Sequence, residues 1–104
     1  MNDVVQAIAD EIDDRAESLE DVERAESAES TTYARLGHPF AAADRDGFEF
    51  LVGDVIAGAA LRTPDVSSSR RGEGWVRFAP TVLDEPSVDR AVAWFEAAWR
   101  RAGS

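Results

Sequence analysis

The chain has no lysine and no cysteine among its 104 residues. Without cysteine there is no disulfide framework, no thiolate nucleophile and no zinc-thiolate centre. With one histidine, His38, and one tyrosine, Tyr33, there is little material for general acid-base chemistry. Long apolar runs are also missing. The first is only Val4-Val5, which predicts neither a secretory signal nor a membrane span, and so a cytoplasmic protein. Isoleucine occurs only at 8, 12 and 56, so the burial expected of a core falls on five phenylalanines, three tryptophans and the tyrosine.

Negative charge is what the chain has in excess: 21 carboxylates against 11 arginines, a net charge of −10. Residues 1–30 hold eleven carboxylates and two arginines, while residues 31–104 hold ten and nine, so the acidity belongs to one segment. A lysine stem adds flexible apolar surface, whereas carboxylates hold water and ions. An acid-rich surface without lysine therefore points to a halophile, in whose molar-salt cytoplasm the Debye length falls to ~3 Å and self-repulsion is screened. GC-rich codon usage, which favours arginine and alanine, is the neutral alternative.

Apolar spacing gives the elements. Val5, Ile8, Ile12, Ala16 and Leu19 recur at steps of three or four and predict a helix over 3–19, capped by Asn2 or Asp3. Glu23 and Glu26 then break the stripe, so the helix is expected to end near residue 20, with a mobile connection over 26–30. Short β-branched or aromatic runs over 31–36, 40–43, 48–52, 55–62 and 75–79 read as strands. Asp46-Gly47 and Gly53-Asp54 sit between them as hairpin turns, the second of type II′. In 48–52, Phe48, Phe50 and Val52 share one face, and Glu49 and Leu51 the other. Residues 63–74 read as one long loop, polar and dispensable for folding.

The last segment, 84–104, holds a second helix over 86–102. Asp84 or Glu85 caps it, Pro86 lies in its first turn, and Gly103 stops it. Its stripe is Val88, Ala91, Val92, Phe95, Ala98, Trp99 and Ala102, with Trp94 at the boundary and with Phe95 and Trp99 expected in the core. The expectation is a single α+β domain: a two-layer sandwich of an N-terminal helix (with its connection, 1–30), an antiparallel meander of four to five strands (31–79) and a C-terminal helix.

Three stretches carry a resemblance: Phe48-Glu49-Phe50-Leu51-Val52-Gly53, Gly74-Trp75-Val76, and the aromatic-rich closing helix. On these, residues 34–102 resemble the MmcQ/YjbR group, which implies a CyaY (frataxin-like) fold and DNA binding. They are similar almost equally to small luciferase-like domains. The resemblance implies no site residue.

Each functional class has its candidate residues. His38 precedes Pro39 and reads as a surface residue at a strand break, and Ser67–Ser69 lack a nucleophile elbow, so no enzyme is expected. Asp10, Asp13, Asp14, Glu17 and Asp21 line the outer face of the first helix and read as a solvated ridge, with no metal or cofactor expected. Arg62, Arg70, Arg71 and Arg77, with Trp75 beside them, are candidate phosphate or nucleic-acid ligands. Trp94, flanked by Arg90 and Arg101, is the candidate partner-binding edge, since aromatic and arginine residues concentrate at interface hot spots. The function expected is a non-enzymatic protein-interaction domain, a homodimer or bound to another protein. Phosphate or nucleic-acid binding through the serine-arginine loop is the alternative.

Overall fold

In the computed structural model, which describes residues 2–104, the chain opens with helix α1 (Asp3–Ser18). The Asn2 side-chain oxygen accepts the amides of Val4 and Val5 at 3.0 and 3.4 Å, which fixes the start. Val5, Ile8 and Ile12 are buried, and the helix stops as their stripe fails.

The acidic stretch that follows is a strand, not a mobile connection. Strand β1 (Val22–Glu26) pairs antiparallel with β2 (Ser30–Arg35). Ser27 closes the turn, its amide donating to the Ser30 carbonyl at 2.8 Å. The sheet thus starts nine residues earlier than expected, at Val22 rather than residue 31. An outermost strand buries almost nothing, so it needs no apolar alternation. Its charges also discourage further pairing.

Strand β3 (His38–Asp44) continues the antiparallel sheet through a bulge opposite Tyr33 and Ala34. The extra residue lets Phe40 reach Phe95 of the last helix, with ring centroids 5.2 Å apart, while its neighbour Ala41 still pairs with Phe50. Asp46-Gly47 makes the expected hairpin to β4 (Phe48–Leu51), where the Asp44 carboxylate accepts the Asp46 and Gly47 amides at 2.9 and 3.0 Å. Gly47 is required for space: a Cβ there would lie 2.5 Å from the carbonyl oxygen of Phe78. Gly47→Ala should therefore force β4 and the strand beside it apart and lower stability by about 2–3 kcal/mol, measured by urea denaturation.

Residues 55–62 are not a strand, and Gly53-Asp54 is not a hairpin. Helix α2 (Asp54–Ala60) starts from Gly53, whose φ of 88° suits glycine. Ala57 and Ala60, three apart, are its buried side. The helix crosses over to β5 (Val66–Ser68), an outer strand lying within the segment expected to be a loop. β6 (Trp75–Phe78) runs antiparallel between β4 and β5, so the order is β1-β2-β3-β4-β6-β5 and β4-α2-β5 is a parallel crossover. The Gly74 carbonyl ties this region together, accepting the amides of Val52 and Gly53 at 2.9 and 3.0 Å.

Helix α3 (Glu85–Ala102) starts at Asp84, which accepts the Ser87 amide at 2.9 Å. Ala91, Phe95 and Ala98 are fully buried, and Trp94 packs edge-on against Phe78, with centroids 5.2 Å apart. The buried face is centred about 40° from the expected stripe, turned toward Trp94 and away from Val92. Trp99, expected in the core, is only partly buried. Its indole N–H donates to the Glu20 carbonyl at 2.7 Å, and the Arg35 guanidinium lies 3.9 Å above its ring. The α+β two-layer architecture is as expected, with six strands in place of four to five.

Candidate functional site

Pairing along the sheet decides what faces outward. The helices cover the side carrying Tyr33, Phe48, Phe50, Val76 and Phe78. On the other side Thr32, Ala42, Glu49, Arg77 and Ser67 stand side by side as successive cross-strand partners. Among the described residues, the buried side chains of α1, α2 and α3 cluster with the first side of the sheet, not with this row.

Three of the four candidate phosphate arginines meet here. Arg70, Arg71 and Arg77 line a groove of about 600 Å³ with Glu49, Ser67 and Ser68, whereas Arg62 lies apart, after α2. Two of the three already have carboxylate partners. Arg77 makes a bidentate pair with Asp44, at 2.9 and 3.0 Å, and lies 3.9 Å from Glu49. Arg71 donates to Glu49 at 3.0 Å and sits 5.3 Å from the centre of the Trp75 ring. The second Glu49 oxygen accepts the Ser69 hydroxyl. Burial pushes the Asp44 carboxyl up, but the hydrogen bonds from Arg77 and from the backbone outweigh it and hold the group below its ordinary value. Residues 63–74 are therefore not a free loop: β5 pairs with β6, and Ser69 and Arg71 tie the segment to Glu49. A bound anion would have to displace the Glu49 carboxylate. Of the three groove arginines, Arg70 is the one for which no ion pair is found among the described residues.

The acidic helix is less uniform than a solvated ridge. Asp13 turns toward the sheet, where it accepts the Tyr33 hydroxyl and pairs with Arg24 at 3.1 Å. Burial, and then the Asp13 carboxylate, push the Tyr33 phenol well above its ordinary value, so it stays protonated. The bond to Glu26, first, and the nearby Asp13 raise the Arg24 pKa further. Among the described residues, no group of three or more acidic or histidine side chains is arranged to hold a metal ion. His38 is exposed at the start of β3 and shares no hydrogen bond with Ser67, Ser68 or Ser69.

The partner-binding candidates separate. Trp94 is turned onto Phe78 and Phe50, so its indole faces the sheet; Arg90 is partly buried beside it, and Arg101 is exposed. Arg101 reaches over the start of α2, where a Cβ on Gly53 would lie 3.0 Å from its Nε. Exposed apolar surface is found on α2 itself: Val55 is 90% exposed, Ile56 39%, and Leu61, just past the helix, 44%. Sequence spacing does not single these residues out, because the β-branched pair Val55-Ile56 has the character of a strand start. The alanines at 57, 59 and 60 were the signal for a helix.

No family model, curated protein or solved structure matches the chain.

Proposed function

We propose that the protein is a small, non-enzymatic interaction domain that works by self-association, as a homodimer in the cytoplasm of a halophile. The observation that carries this is the unpartnered apolar side of α2, with Val55 90% exposed. A methyl-rich helix surface in water gains free energy when a protein surface covers it. High salt does not weaken such contacts, while it screens the repulsion between two chains of net charge −10. Among the described residues no helix is long and apolar enough to cross a membrane. The resemblance to the MmcQ/YjbR group is part of the proposal as to fold alone.

Anion binding is the second reading, favoured by the convergence of Arg70, Arg71 and Arg77 on one groove. It ranks lower because Asp44 and Glu49 already neutralise two of these arginines. Sedimentation velocity at about 20–200 µM protein in ~2 M KCl tests the first reading. The expected result is a concentration-dependent dimer that added inorganic phosphate or oligonucleotide does not change. A monomer throughout this range, stabilised by phosphate, would transfer the function to the groove.

A further inference from the structure

We infer that α2 is the self-association surface: two copies pack α2 against α2, antiparallel about a two-fold axis, with Asp54 of each copy against Arg62 of the other. This rests on the self-association reading above and names where it happens. At 100° per residue, the side of α2 opposite the buried Ala57 and Ala60 carries Val55, Gly58 and Ala59 in one strip, and Arg62 follows in the turn after the helix. Among the described residues, Val55 is the most exposed large apolar residue. Gly58, in the middle of the strip, has nothing within 4 Å of where a Cβ would stand, so a second backbone could approach closely there.

Charge selects a second copy as the occupant. Asp54 begins the helix and Arg62 follows its end, about 12 Å further on. Both are exposed, and neither makes an ion pair among the described residues. Asp54 projects about 90° from the centre of the strip, so acid and base flank it at opposite ends. Reversed, this arrangement is its own complement, because each acid of an antiparallel pair lies beside the partner's base, and a two-fold axis makes both contacts at once. Sheet order favours the same arrangement. The acidic segment forms α1 and β1 at one edge of the sheet, whereas α2 packs over β6 near the other, so pairing through α2 keeps the two acidic segments apart. Two short helices bury little area, so the dimer is weak, with Kd of about 10 µM.

Charge exchange tests this in the full chain by sedimentation equilibrium in ~0.5 M KCl, where close pairs still act. Val55→Glu should weaken association at least about tenfold. Asp54→Arg and Arg62→Asp should each weaken it about fivefold, and the double exchange Asp54→Arg/Arg62→Asp should restore it to within about twofold. The two single variants move the net charge in opposite directions, so a loss in both reports the local pair rather than overall repulsion. All three sites are exposed, and unchanged far-UV circular dichroism confirms that the variants fold. A wild-type dimer insensitive to Val55→Glu, or a double exchange no better than the single ones, overturns the α2 interface while leaving self-association intact. A wild-type monomer at every concentration overturns both.

Discussion

Phe95→Ala is expected to remove the cooperative unfolding transition at room temperature. Phe95 has no exposed surface and lies where the helical layer meets the sheet. It packs edge-on to Tyr33 at 5.1 Å and tilted against Phe40 at 5.2 Å. Truncation leaves a cavity that neither ring can fill. Tyr33 is held by its bond to Asp13, and Phe40 by the β3 bulge. A buried Phe→Ala change costs about 3–5 kcal/mol, most of the stability of a small domain near the lower end of ~5–15 kcal/mol. Trp99→Ala should cost less, because one side of that indole is covered by Arg35 rather than by the core. Chemical denaturation of both variants checks the order: a Phe95→Ala protein with a sigmoidal transition near the wild-type midpoint would show that the core is not centred there.

The second large effect is that of salt. Eleven carboxylates within residues 1–30 face two arginines in that segment, and the structure adds little compensation from elsewhere. Arg24 serves Asp13 and Glu26, while Arg15 reaches across to Glu96 of α3. The remaining acids of α1 and β1 crowd one edge of the sheet, and their repulsion opposes folding when unscreened. Stability should rise by about 2 kcal/mol, or ~10 °C in Tm, between ~0.1 M and ~2 M KCl. Calorimetry across that range measures it, and a Tm that is flat or falling would remove the halophile reading.

Much of the fold was legible because it follows from local periodicity. The stripe of Val5, Ile8 and Ile12, the alternation of Phe48 and Phe50 with Glu49, and the caps at Asn2 and Asp84 each act within a few residues, and each appears in the structure. The errors share a different cause. β1 and β5 are the two outer strands of the sheet, and a strand with one neighbour and little burial leaves no apolar alternation to read. α2 is seven residues long, too short for a 3.6-residue period to stand out against its β-branched opening, Val55-Ile56.

The candidate site divides the same way. That Glu49 faces away from the core was set by the two-residue period of its strand. That Asp44, Glu49, Ser69, Arg71 and Arg77 meet in one network depends on β6 lying between β4 and β5, which no local pattern encodes. By itself the sequence determined the helix-sheet-helix order, the excess of carboxylates in residues 1–30, and most of the core. Tertiary structure alone decided that Trp94 turns inward, that the serine-arginine segment is tied to Glu49, and that α2 keeps an apolar side in solvent. Period and propensity act between neighbours along the chain, whereas which side of an element is covered depends on segments far from it in sequence.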